Sequence, residues 1–96
     1  MIYIKTENEF KEIISKEKVL VDFYADWCNP CKMMDMVLED IDSIKIVKVD
    51  IDRFRSLAKE YKVMSIPAMK IIENGEIIKE SVGFMSRDEL MNFIKE

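Results

Sequence analysis

The sequence predicts an α/β fold in which strands and helices follow the order βαβαβαββα, with helices packed on the faces of a sheet. Three observations carry that expectation. Val19-Leu20-Val21-Asp22-Phe23-Tyr24-Ala25 is apolar on both alternating faces except at Asp22, the pattern of a central strand covered on both sides. Stretches with apolar residues at helical spacing stand before and after it. Towards the C-terminus, Glu73-Asn74-Gly75-Glu76 separates two apolar runs. Asn-Gly in that setting is the strongest short hairpin signal, so the last two strands are expected to be antiparallel neighbours.

Taken in order, Met1 to Lys5 is a short strand candidate. Thr6-Glu7-Asn8-Glu9 has the form of a capping box, and Phe10, Ile13 and Ile14 form one apolar face, which predicts a first helix to about Glu17. The central strand follows. The second helix is expected to carry Met33, Met34, Val37, Leu38 and Ile41 on its buried stripe, with Lys32, Asp35, Glu39 and Asp42 facing water. Ile44 to Ile51 reads as an apolar strand interrupted by Lys48. Asp52 is placed to cap a third helix whose apolar positions are Phe54, Leu57, Ala58 and Tyr61. Pro67 precedes the strand Ala68 to Ile72, the hairpin leads into Ile77 to Val82, and Ser86-Arg87-Asp88-Glu89 forms a second capping box. The box opens a terminal helix with Leu90, Phe93 and Ile94 inward.

Ninety-six residues, 49% hydrophobic and 35% charged, suit one ordinary globular domain spanning residues 1–96. No basic segment followed by a long apolar stretch opens the chain, and no run approaches the ~18 apolar residues of a membrane span. A cytoplasmic protein is therefore expected, with no membrane partner. A net charge of −4 with no basic patch in the sequence argues against nucleic acid. A self-contained domain is expected to be a monomer, and most of the eight methionines to fill gaps in its core.

Both cysteines fall in Trp27-Cys28-Asn29-Pro30-Cys31-Lys32, where the central strand hands over to the second helix. Thiols separated by two residues can close a small disulfide with little backbone movement. A helix beginning at or just after Cys28 sets unpaired N–H groups and the positive end of its dipole beside the first sulfur, favouring thiolate over thiol. Cys28 is thus the expected nucleophile. Pro30 suits the first turn of a helix, and Cys31 lies inside that turn, more sheltered. A closed zinc site normally takes four Cys or His ligands, whereas this chain has two Cys and no His. A purely structural disulfide would close only a tiny loop, for which chain-entropy stabilisation is smallest.

Asp22 interrupts an otherwise apolar strand. A carboxylate there is costly to ionise, so it can hold a proton near neutral pH and accept one from Cys31 if the strand runs directly beneath the cysteines. The alternative is an edge Asp that reaches water. Lys48, in the adjacent apolar strand, either pairs with Asp22 or extends to the surface; by itself the second is expected. Pro67 starts a strand, and spacing alone leaves the geometry of its peptide bond open.

Together, Val21-Asp22-Phe23-Tyr24-Ala25, Trp27-Cys28-Asn29-Pro30-Cys31-Lys32, Lys48-Val49-Asp50-Ile51-Asp52, Tyr61-Lys62-Val63-Met64-Ser65-Ile66-Pro67 and Val82-Gly83-Phe84 resemble the thioredoxin family from end to end. The resemblance implies the thioredoxin fold, a central mixed five-stranded sheet flanked by helices, with a cis peptide before Pro67. It implies reduction of protein disulfides through Cys28 and Cys31, with Asp22 as the buried acid and Lys48 as its basic neighbour. It implies a substrate surface built from Trp27, Asn29, Pro30, Ile66, Pro67, Val82 and Gly83. The exchange needs no cofactor; the implied partners are disulfide-containing proteins and a thioredoxin reductase-type electron donor. Asn29 stands where glycine is usual, Met36 where a proline is usual, and Lys62 and Ser65 where glycines are common. The alternative activities are a glutaredoxin-like reductase or an oxidant-isomerase, both disfavoured by the Asn29-Pro30 pair. The remaining alternative is a non-catalytic binding subunit of the same fold.

Overall fold

A computed structural model describes residues 1–95. The elements are β1 (Ile2–Tyr3), α1 (Glu7–Lys16), β2 (Val19–Tyr24), α2 (Asn29–Leu38), β3 (Lys45–Asp50), α3 (Arg55–Glu60), β4 (Ala68–Glu73), β5 (Glu76–Val82) and α4 (Arg87–Lys95). They follow the expected βαβαβαββα order. The five strands form one sheet in the order β1-β3-β2-β4-β5. β1, β3 and β2 run parallel, whereas β4 and β5 are antiparallel additions.

Strand alternation divides the interior into two layers. Val19, Val21 and Phe23 of β2 join Val47 and Val49 of β3 and pack with Phe10, Ile14, Phe54 and Leu57. On the opposite face Leu20, Ile46, Met69 and Ile71 pack with Met34, Leu38 and Leu90. α1 and α3 therefore cover one side of the sheet and α2 and α4 the other. Asp22 and Lys48 belong to the second layer, because each lies two residues along its strand from an apolar residue of that layer.

Local chemistry sets most of the boundaries. In the Ser86 box, the Glu89 N–H donates to Ser86 Oγ at 3.2 Å and the Ser86 N–H to Glu89 Oε1 at 2.9 Å. The Thr6 box is completed differently: Glu9 N–H donates to Thr6 Oγ1, but the Glu9 carboxylate takes the N–H of Lys5 rather than that of Thr6. Asn74 and Gly75 both have positive φ, at 54° and 78°, the conformation that matches a two-residue hairpin turn to strand twist.

Four expectations are corrected. Of the eight methionines only Met34, Met69 and Met85 are buried, while Met1, Met33, Met36 and Met64 are exposed, so most of them do not fill the core. Asp52 does not cap α3: the helix starts later, Phe54 stands at its N-cap without a side-chain hydrogen bond, and Asp50 accepts the N–H of Asp52 at 2.9 Å instead. Met33 is exposed and α2 ends before Ile41, so the buried stripe is Cys31, Met34 and Leu38. Asp35 is turned partly inward, as described below.

α3 ends in a Schellman motif. The Val63 N–H bonds the Ala58 carbonyl at 2.9 Å and the Lys62 N–H bonds that of Lys59 at 3.1 Å, which puts Lys62 in the left-handed region at φ 56°. That region costs a side-chain-bearing residue roughly 1–2 kcal/mol, whereas glycine enters it freely. Lys62→Gly should therefore stabilise the protein by up to about 1 kcal/mol, after allowing for the flexibility glycine adds to the unfolded chain, and this is read as a higher urea midpoint.

Candidate active site

Cys28 is the N-cap of α2, and Pro30 is in the first turn. Cys28 and Cys31 form a disulfide with Cα atoms 5.2 Å apart. The Cys31 N–H donates to Cys28 Sγ at 3.2 Å, so the first sulfur holds the place that a capping oxygen usually takes. As a thiolate it would meet that donor together with the positive end of the α2 dipole. Both cysteines are buried, 5% and 2% exposed, in a small cluster with Ala25, against which Tyr24, Ile51 and Ile66 pack.

The surrounding surface comes from three loops. Trp27 is 67% exposed, and its indole Nε1–H donates to Asp52 Oδ2 at 2.8 Å, which fixes the ring beside the cysteines. The Ile66–Pro67 peptide is cis, and the Ile66 carbonyl oxygen lies 3.9 Å from Cys28 Sγ. The Gly83 N–H donates to the Pro67 carbonyl at 2.8 Å, with Gly83 at φ 94°, and so joins the Val82–Gly83 loop to the proline segment. Val82, like Asn29 and Pro30, is exposed. The structure thus gathers Trp27, Ile66, Pro67, Val82 and Gly83 around the disulfide.

Beneath that surface lies a buried charge network. Parallel register sets Asp22 opposite Lys48 and Tyr3 opposite Lys48 on its other side. Lys48 Nζ donates to Asp22 Oδ2 at 2.6 Å, and both side chains are fully buried. Lys48 also donates to Asp35 Oδ1 on α2. Its ammonium sits 4.4 Å from the Tyr24 ring centroid and 5.9 Å from that of Tyr3, within cation–π range. Lys48 does not extend to the surface, and Asp22 does not reach water. The polar pattern of α2 sets Asp35 among the water-facing residues, but it follows Cys31 by four residues and therefore shares its helix face. That spacing was the available signal for its role.

Burial drives the Asp22 carboxyl above its ordinary value; Lys48 opposes this by charge and hydrogen bond, and Asp35 adds to the upward push. Burial alone would lower Lys48, but the two carboxylates outweigh it and the ammonium is held above its ordinary value. Tyr24 is pushed up to about 12, chiefly by burial and then by Asp50 and Asp26, so it meets Lys48 as a neutral ring. Asp22 Oδ1 has no hydrogen-bond partner among the described residues, which leaves an acceptor open in the interior. No cluster of three or more candidate metal ligands occurs among the described residues.

The thioredoxin family profile matches residues 1–96. Thioredoxin of Bacillus subtilis (strain 168) is 40% identical over 96 residues, covering 95% of this chain and 92% of that protein. Thioredoxin of Chlamydia trachomatis serovar D is 36% identical over 100 residues, covering 100% and 98%. Among solved structures, a mutant thioredoxin from Halobacterium salinarum NRC-1 superposes with TM-score 0.90 at 34% identity, covering 98% of this chain and 87% of that one. Oxidised thioredoxin from Plasmodium falciparum gives TM-score 0.90 at 28% identity, covering 99% and 95%.

The direction of the Asp22 shift fixes a pH dependence. A carboxyl raised above its ordinary 3.8 keeps its proton in the folded chain at pH values where the unfolded chain has lost it. Its stabilising contribution is complete below the unfolded pKa and is lost as pH rises through the folded one. Asp22→Asn removes that dependence. The stability of the variant minus that of the parent should therefore increase from about pH 4 to about pH 8, in urea titrations of the oxidised proteins. A constant difference across that range would contradict the shift.

Proposed function

The chain belongs to the thioredoxin family and is a dithiol–disulfide oxidoreductase of the protein-disulfide reductase type, and from that premise we propose how its residues divide the work. The observation that carries the reading is Cys28 Sγ at the N-cap of α2, accepting the Cys31 N–H and bonded to Cys31. In the reduced protein Cys28 is the thiolate. It attacks one sulfur of a substrate disulfide, forms a mixed disulfide and expels the other substrate sulfur as thiolate. Cys31 then gives its proton to Asp22 and attacks Cys28 Sγ. That step closes the Cys28–Cys31 disulfide, releases the second substrate thiolate and completes the transfer of two electrons to the substrate.

The open Oδ1 of Asp22 and its raised proton affinity suit it to take that proton. Lys48 and Asp35 position it: the second carboxylate shares the lysine charge, so Asp22 is not locked into its ionised form. An extended substrate segment pairs with the Ile66 backbone by strand addition, while Trp27, Asn29, Pro30, Pro67, Val82 and Gly83 supply the surrounding surface. A thioredoxin reductase-type donor returns the electrons, and the protein works in the cytoplasm as a monomeric unit of residues 1–96.

Cys28→Ser should abolish turnover of a protein disulfide, whereas Cys31→Ser should accumulate a mixed disulfide visible as a mass adduct. Full activity in Cys28→Ser would overturn the assignment. Changing Trp27 or Ile66 should raise KM for a protein disulfide more than for a small one; equal effects on both would remove them from the substrate surface. Equilibration in thiol–disulfide buffers should place the pair near the ~−270 mV known for thioredoxin, a value taken from the family rather than from this geometry. A value towards ~−120 mV would indicate an oxidant.

A further inference from the structure

Met34 is fully buried on α2, three residues after Cys31. Its thioether Sδ accepts the backbone N–H of Met85 at 3.4 Å, from the turn between β5 and α4. A thioether is a weak acceptor. Met85 is itself buried, however, and neither a backbone carbonyl nor a side-chain oxygen accepts that N–H among the described residues. Without the sulfur the N–H would be left unpaired in the interior, where the loss outweighs what one weak bond contributes.

This bond closes a circuit around the disulfide. From Cys31 the helix leads to Met34, whose sulfur joins it to Met85. The chain runs back through Phe84 to Gly83, whose N–H donates to the Pro67 carbonyl at 2.8 Å. Pro67 follows Ile66, whose carbonyl oxygen lies 3.9 Å from Cys28 Sγ. The segment from Gly83 to Met85 is thus tied at both ends, to the proline segment by a carbonyl and to α2 by a thioether. Packing does little to fix the backbone between the ties, because Gly83 has no side chain and Phe84 is 43% exposed. Met69 lies fully buried in the same layer, but its sulfur accepts no hydrogen bond among the described residues.

We propose that Met34 is a positioning residue for substrate binding: its thioether pins the turn at Met85 and thereby holds Val82 and Gly83 where a protein substrate meets them. The inference rests on the reductase reading above, which sets Val82 and Gly83 on the substrate surface. Leucine fills a similar volume without an acceptor, so sulfur rather than bulk is the feature that matters at this position.

The test compares Met34→Leu with Met69→Leu, since both replace a fully buried thioether by a hydrocarbon of similar volume and both should fold. In oxidised Met34→Leu the Met85 amide should exchange with deuterium roughly three- to tenfold faster than in the parent, the effect of losing one modest hydrogen bond, after normalising to Val21 in the central strand. Its KM for a protein disulfide should rise about two- to fivefold, with kcat unchanged, because the loosened turn must be ordered on binding; kcat/KM for a small disulfide should not move. Met69→Leu should show neither effect. An unchanged Met85 rate, a faster rate with unchanged KM, or equal effects in the two variants overturns the inference and leaves the reductase reading standing. Failure of the parent protein to reduce either substrate defeats the reductase reading and this inference with it.

Discussion

The arrangement of this protein depends on one fully buried ammonium. Lys48 carries its ammonium into the interior between β1, β2 and α2, where desolvation of each ion costs several kcal/mol unless charge and hydrogen bonds replace water. Here two carboxylates and two aromatic rings do so, and they come from different elements. Asp22 is supplied by strand register, Asp35 by the helix that starts at Cys28, and the rings by Tyr3 and Tyr24. The network therefore ties the central strands to α2 about 6 Å along the helix from Cys31, the rise of four helical residues. Removing one carboxylate would leave the cation with a partner, whereas removing the cation would leave two buried or half-buried carboxylates facing each other.

Much of this is legible in the sequence wherever a short-range rule dominates. Asn74-Gly75 specified the hairpin because few residues tolerate two successive positive φ values, and Ser86-Arg87-Asp88-Glu89 specified the start of α4 through two reciprocal bonds. The both-faced apolar run identified β2. The cysteine pair was identified by its spacing at a strand-to-helix junction. What failed was environmental. Lys48 by itself is better served by reaching water, and only the three-dimensional meeting of Asp22 and Asp35 reverses that preference. Asp35 was assigned by its polarity, whereas position on the helix relative to Cys31 decides where it points. Asp52 has the chemistry of a cap, yet Asp50 takes the local N–H groups, and the N-cap of α3 falls two residues later, at Phe54.

The reacting sulfur sits where two kinds of backbone end. The N-terminus of α2 leaves donors without intrahelical acceptors, and one of them points at Cys28 Sγ. On the other side, the Ile66 carbonyl lies close to the same atom just before β4 begins. In the proposed mechanism one element stabilises the attacking form of the sulfur, and the other offers main chain along which an incoming segment aligns. Neither function requires a metal or a mobile domain, because both follow from where a helix and a strand start.

Burial of the disulfide also sets who can spend its oxidising capacity. Cys28 and Cys31 are only 5% and 2% exposed as residues, although the pair is chemically open to exchange. Exposed Trp27 and Val82 nevertheless mark the approach for a larger partner that can seat itself before reacting. The recessed pair thus favours, in the proposed mechanism, a partner that seats itself on the surrounding surface before it reacts.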